Sequence, residues 1–271
     1  MADEFKQEKA LVKTINEQYG DGSIILPQLG SKIFNENVEV IKTGSEAINK
    51  ALGIGGLPKG KIVEILGQEA SGKTTLALSV IAEAQKDGIR CAFIDAEQSL
   101  DKARAEALGV DFNKLFISQP DDGEQALNIL ESLIISKKIG LVVVDSVAAL
   151  TPRAEIEGDM SDANIGGMAR MMGKALRKIV SPTNKNGVLV IFTNQIRAKL
   201  GGFGFMPQET TPGGNALKFY ASVRIDMRRT GNNKRGETLL STNHKVTIKK
   251  NKMAQPMKVV LLKIDGHGFM S

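Results

Sequence analysis

Residues Gly67-Gln68-Glu69-Ala70-Ser71-Gly72-Lys73-Thr74 constrain the fold of this chain more than any other feature. They fit the phosphate-loop pattern and lie where that chemistry requires, after an apolar run, Ile62–Leu66, and before a helical stretch, residues 73–86. The glycines let backbone N–H groups converge on phosphate oxygens, and the helix that follows points its positive end at them. In this reading Lys73 reaches the β- and γ-phosphates and Thr74 is a Mg2+ ligand, with Gly67 through Gly72 and Thr75 completing the nucleotide contacts.

Further strand-helix units follow. Apolar runs at Cys91–Ile94, Leu115–Ser118, Leu141–Val144 and Val188–Phe192 are separated by helical stretches at 101–108, 123–137 and 164–180. Near-continuous Val, Ile and Leu alternating with helices predict an α/β fold, a mostly parallel sheet covered on both faces. After residue 220 the runs become Ser222–Met227, Lys245–Ile248 and Val259–Ile264, joined by polar segments, which predicts an antiparallel extension of the sheet. Residues 3–19 read as a helix with Phe5, Leu11, Val12 and Ile15 on one face; Gly20-Asp21-Gly22 breaks it and a short extended piece, Ser23 to Leu26, follows. Such a leader can bury its apolar face only on the main body or on a neighbouring subunit.

Strand ends supply the remaining chemistry. Leu141–Val144 runs into Asp145, where a carboxylate either holds Mg2+ through its water shell or caps the next turn. Phe93-Ile94-Asp95-Ala96-Glu97 follows the phosphate-loop helix directly, so this strand can lie close to the phosphate-loop strand. Glu97 is then the candidate base or water-orienter; Asp95, on the same side by alternation but farther from the crevice, is its competitor. The fifth strand ends in Thr193-Asn194-Gln195, whose amide either registers the γ-phosphate or caps the strand.

Charge is divided unevenly. Residues 1–180 carry 21 basic and 26 acidic side chains, and residues 181–271 carry 15 and 4. So basic an end suggests a polyanion, nucleic acid or an anionic membrane. Residues 197–214 place Phe203 and Phe205 amid glycines with Arg197 and Lys199, a loop suited to phosphates and unstacked bases. The polar segment 155–165 leads into a helix where Arg170, Lys174, Arg177 and Lys178 form a stripe, either a solvated face or a nucleic-acid surface. A single Cys91 within an apolar run excludes an intrachain disulfide framework and predicts an inert core thiol in a reducing compartment. The N-terminus lacks the apolar stretch of a signal peptide and no run approaches the ~20 residues of a spanning helix, so a soluble cytoplasmic protein without membrane partners is expected.

Together these residues resemble one family, the bacterial RecA recombinases. The resemblance rests on Gly55-Gly56-Leu57-Pro58-Lys59-Gly60, the phosphate loop with Glu69-Ala70-Ser71, Phe93 to Glu97, Val144-Asp145-Ser146-Val147-Ala148-Ala149-Leu150, Ala169-Arg170-Met171-Met172, Asn194-Gln195-Ile196-Arg197, and Gly213-Gly214-Asn215 through Arg224. These segments span most of residues 10–268. The resemblance implies a RecA-type ATPase core, residues 39–271, preceded by a polymerisation helix and strand, residues 1–38, without the small C-terminal domain into which the family continues.

The activity implied is ATP-dependent: a helical filament on single-stranded DNA that pairs with duplex DNA and exchanges strands in recombinational repair, using ATP and Mg2+. A self-cleaving SOS repressor is a further implied partner. By similarity Glu97 activates water, Gln195 couples the γ-phosphate to the DNA loop, and Lys250 and Lys252 reach the neighbouring subunit's ATP like an arginine finger. Ile165, Arg170 and Arg177 fall in and after the first DNA loop; Arg197, Lys199, Leu200, Gly213, Gly214 and Asn215 fall in and after the second. Asp101 keeps the family's nucleotide contact, but Arg104 stands where the family places a Tyr against adenine, and 201–208 departs from the usual loop. A hexameric helicase-type motor and an ATP-switched filament with little turnover are the rival readings.

Overall fold

A computed structural model describes residues 2–26, 38–159, 166–198 and 209–270. The chain divides into two compact units, Met1–Val38 and Glu39–Ser271. In the first, helix α1 (Ala2–Tyr19) is followed by a turn. Ser23–Leu26 is bent and forms no strand, contrary to the extended piece expected there. The reason is local: the Asn16 side-chain amide accepts from Ile24 N–H (3.0 Å) and donates to Ile24 C=O (3.1 Å), taking both groups that a neighbouring strand would use.

The second unit opens with strand β1 (Val40–Ile41), helix α2 (Glu46–Leu52) and strand β2 (Leu57–Pro58), which pairs with β1. Then come β3 (Ile62–Gly67), α3 (Lys73–Lys86), β4 (Cys91–Asp95), α4 (Lys102–Ala107), β5 (Leu115–Ser118), α5 (Gly123–Ile135) and β6 (Leu141–Asp145). The chain continues through α6 (Arg153–Glu157), α7 (Gly167–Lys185), β7 (Leu189–Gln195), β8 (Arg197–Ala198), β9 (Glu209–Thr210) and α8 (Ala216–Tyr220). It closes with β10 (Val223–Arg235), β11 (Thr238–Asn251), β12 (Val259–Asp265) and β13 (Gly268–Phe269).

Among the described residues nine strands form one sheet, in the order β13-β12-β11-β10-β3-β7-β6-β4-β5. From β10 to β5 every pairing is parallel; from β10 to β13 every pairing is antiparallel. Alternation assigns each side chain to a layer. Leu141, Val143, Leu189 and Ile191 pack with α2 and α3, while Val142, Val144, Val190 and Phe192 pack with α5, α7 and α8. Cys91 is buried in the first layer and its thiol is pushed up to about 12, which keeps it unreactive.

Three expectations are corrected. Strand β4 is not beside β3, because β7 and β6 intervene; sequence order alone does not fix strand order. The segment 228–244, read as polar connection, is a long β10–β11 hairpin, with β-bulges that break the alternation of its exposed end. Helix α7 passes through Pro182 and ends at Lys185, carried by the buried side chains of Ile179 and Thr183.

One charge lies inside the sheet. Glu64 on β3 is fully buried, and its carboxylate accepts from Arg224 Nε on β10 and from Asn194 Nδ2 on β7, 2.9 Å away. Removing the cation leaves that carboxylate uncompensated. Arg224→Met is therefore expected to cost about 3–5 kcal/mol of stability, read as a lower urea midpoint at unchanged slope. A loss below about 1 kcal/mol would show that the Asn194 bond suffices to hold the charge.

Candidate nucleotide-binding active site

Parallel register brings the working strand ends level. Asp95 lies opposite Asp145, and Gly67 lies opposite Gln195. The phosphate loop leaves β3 at Gly67, where a side chain has no room: a Cβ there would sit 2.3 Å from Ser71 Oγ and 2.4 Å from the Met227 carbonyl oxygen. Gly72, with φ of 91°, turns the loop into α3. Lys73 Nζ folds back to donate to the Gln68 carbonyl at 2.8 Å. Burial lowers its pKa, while the Asp145, Glu97 and Glu69 carboxylates pull the other way.

Asp145 is held by neutral partners. Thr74 Oγ1 donates to one carboxylate oxygen at 2.7 Å and Thr193 Oγ1 donates to the other. Burial raises its pKa against these two bonds. The pairing of Asp145 with Thr74 juxtaposes a hydroxyl and a carboxylate, hard oxygen donors that fit Mg2+. Among the described residues no group of three or more His, Cys, Asp or Glu could hold a metal ion. Phosphate and water would have to supply the other ligands.

Glu97 reaches the site from beyond its strand end. The turn that carries it is anchored by Ala96 N–H and Glu97 N–H, which donate to the Asp145 carbonyl at 2.8 and 3.2 Å. Its carboxylate accepts from Ser146 Oγ and, at 3.3 Å, from Gln195 Nε2. Asp95, the competitor, is buried and bonded to Ser99 N–H, Leu100 N–H and Gln119 Nε2, each at 3.1 Å, so it braces the loop that follows. Thr193 and Ser146, which orient Asp145 and Glu97, escaped the sequence reading. Their only signal is a hydroxyl where an apolar strand gives way to polar residues.

A cavity of about 500 Å³ adjoins the loop, lined by Ala70 to Thr75, by Arg104, and by Leu239–Thr242, His244 and Ile264–Gly266. Arg104 donates to the Gly266 carbonyl and, at 3.1 Å, to that of Asp265, closing the end of the cavity away from the phosphate loop. Asp101 instead caps α4 by accepting from Arg104 N–H at 3.1 Å and does not line the cavity.

The basic residues fall in three places. Lys250 Nζ donates to the Lys218 and Phe219 carbonyls at 2.7 and 3.1 Å. It pairs across from Arg224, near the start of β10, whereas the phosphate loop lies level with Met227. Lys250 and Lys252 thus belong to the opposite end of the strands from their own phosphate loop. On α7, Arg170, Lys174 and Arg177 are exposed, while Lys178 is paired with Glu131 at 2.7 Å. Arg197 begins a two-stranded stem, with β8 paired to β9, so the segment 197–214 is anchored at its base. Gly213 and Gly214, at φ of 82° and 72°, allow close packing: a Cβ on either would lie 2.8 Å from Val147 or Ala169. Asn215, exposed, precedes α8. Ile165, Lys199 and Leu200 lie outside the described residues.

A phosphate loop on β3, a carboxylate at the end of β6 and a second carboxylate over the crevice define a P-loop ATPase core of the α/β class. The family sequence model for the RecA N-terminal domain matches residues 6–269. Protein RecA of Sulfurovum sp. (strain NBC37-1) is 52% identical over 95% of this chain and 74% of its own length. Protein RecA of Campylobacter hominis is 54% identical over 94% and 72%. A RadB recombinase crystal structure shares the fold at a TM-score of 0.65, with 21% identity over 85% of this chain and 98% of its own. The chain belongs to the RecA family. It is a DNA recombinase of recombination and repair, and a nucleotide-using one. Among the described residues no helix is long and apolar enough to cross a membrane.

Proposed function

We propose that this chain couples DNA-stimulated ATP hydrolysis to a helical filament on single-stranded DNA, and in that form pairs and exchanges strands with duplex DNA. One observation carries the reading: Gln195, two residues before the β8–β9 stem, bonds directly to Glu97. The group suited to accept the proton of the attacking water is thereby tied to the segment that leads to DNA. The loop amides, Lys73 and Thr74 bind the phosphates, and Glu97 orients the water in line with the γ-phosphate. Thr74 and Asp145 would hold Mg2+, whose charge offsets that of the phosphates.

Lys250 and Lys252 face a neighbour's nucleotide, which makes the active site complete only between subunits. Among the described residues β5 pairs on one side only and exposes Phe116 and Ile117, an edge suited to a strand from a neighbouring copy. A head-to-tail contact that does not close generates a filament. A self-cleaving repressor as a further partner rests on family membership alone.

The test is ATP hydrolysis with and without single-stranded DNA, with electron microscopy of the same samples. DNA should stimulate turnover, Lys73→Ala should abolish it, and filaments should form. Absence of stimulation together with closed rings would point to the hexameric motor and overturn the proposal.

A further inference from the structure

His244 sits under the phosphate loop with one more hydrogen bond to make than its neutral form can supply. It is 2% exposed and lines the nucleotide cavity with Ser71 and Gly72. Its Nε2 lies 2.7 Å from Thr242 Oγ1, and the same hydroxyl reaches the Ile264 carbonyl at 3.2 Å. Its Nδ1 is buried, completes no hydrogen bond and faces the Ser71 main chain.

The hydroxyl of Thr242 has one proton for two acceptors. If it donates to His244 Nε2, the Ile264 carbonyl loses its donor. If it donates to Ile264, Nε2 must carry the ring proton and Nδ1 becomes a bare acceptor beside the loop. Only the imidazolium serves every partner: Nε2–H to Thr242, Thr242 O–H to Ile264, and Nδ1–H to the Ser71 carbonyl. Burial opposes that charge and holds the His244 pKa below its ordinary value, with Arg229 across the β10–β11 ladder acting in the same direction. The other charged groups lining the cavity are Lys73 on α3, Arg104 on α4 and Asp265 on β12. Three cations against one carboxylate disfavour a further positive charge, and the phosphates of a nucleotide reverse that balance.

We propose that His244 is a positioning residue for the nucleotide site: it takes up a proton as phosphates enter the cavity and, as the imidazolium, fixes Ser71 and with it the curvature of the phosphate loop. The proposal rests on the nucleotide reading of the cavity. Its sign follows from linkage. A group whose pKa is raised by the ligand strengthens binding fully below its free value, and that gain is lost as pH rises through the bound value.

The chain has two histidines, so ring resonances of labelled protein resolve them, with exposed His267 assigned by His267→Gln. Titration with and without ADP and magnesium should show His244 protonating about one pH unit or more higher when ADP is bound, which corresponds to about tenfold in affinity. ADP affinity should therefore fall about tenfold more between pH 6 and 8 in the unsubstituted chain than in His244→Asn, which keeps a neutral donor near Nδ1. A His244 titration unmoved by ADP, or equal pH slopes in the two proteins, overturns the proposal. The ring titration decides even if His244→Asn does not fold. Failure of ADP to bind at any pH would instead refute the nucleotide reading beneath it.

Discussion

Glu97→Gln should slow ATP hydrolysis on single-stranded DNA by about 10²–10⁴-fold, the range for losing a positioned general base, while nucleotide binding stays within a few-fold. The substitution is nearly isosteric and keeps an acceptor for Ser146, so the turn on the Asp145 carbonyl stays in place. What disappears is a basic oxygen over the crevice. Asp95 cannot take over, since three hydrogen bonds hold its carboxylate away from the crevice, under the following loop. Asp95→Asn should accordingly change stability more than chemistry. Single-turnover hydrolysis measured beside nucleotide affinity separates the two effects. A loss under about tenfold for Glu97→Gln would remove it from the role of base.

An equally large effect is expected from the lysines at the far end of β11. Replacing Lys250 and Lys252 together by Ala should lower turnover by about 10³–10⁵-fold, as for cations supplied in trans to a transferring phosphoryl group. The more telling measurement mixes this double variant with Lys73→Ala. Each chain alone is inactive, yet about a quarter of random head-to-tail interfaces in the mixture unite an intact phosphate loop with intact lysines. Activity should return to a corresponding fraction of the unsubstituted level. A mixture as inactive as its components would mean that the lysines act within their own subunit. Lys250 now donates to two carbonyls at the end of α8 and its pKa is lowered by burial, then by Lys252 and Arg224. A neighbour's phosphates would relieve that crowding of positive charge.

The parallel half of the sheet was legible because its strands are buried on both faces and read as unbroken Val, Ile and Leu, as in Leu141–Val144. The phosphate loop, Asp145 and Glu97 followed from spacing and from the strand ends they occupy. Strand order was not legible: nothing in Cys91–Asp95 says that two later strands will separate it from Ile62–Gly67. Nor was the β10–β11 hairpin, whose outer half faces water on both sides and carries Asn, Lys and Arg instead of alternating apolar residues. The partners of the carboxylates, Thr193 and Ser146, are ordinary hydroxyls whose roles depend on which strands become neighbours. His244 is a single polar residue in a strand, and only the fold shows that it lies under Ser71.

The stem and the glycine seat of the second loop have a consequence for engineering. Between Ala198 and Glu209 the chain departs and returns through a fixed ladder, and beyond it Gly213 and Gly214 are wedged against Val147 and Ala169. The intervening ten residues therefore form an exchangeable cassette with standard ends. Sequences of other lengths can be spliced between 198 and 209 without redesigning the ATPase beneath, whereas any side chain added at 213 or 214 would lift the cassette off its mount.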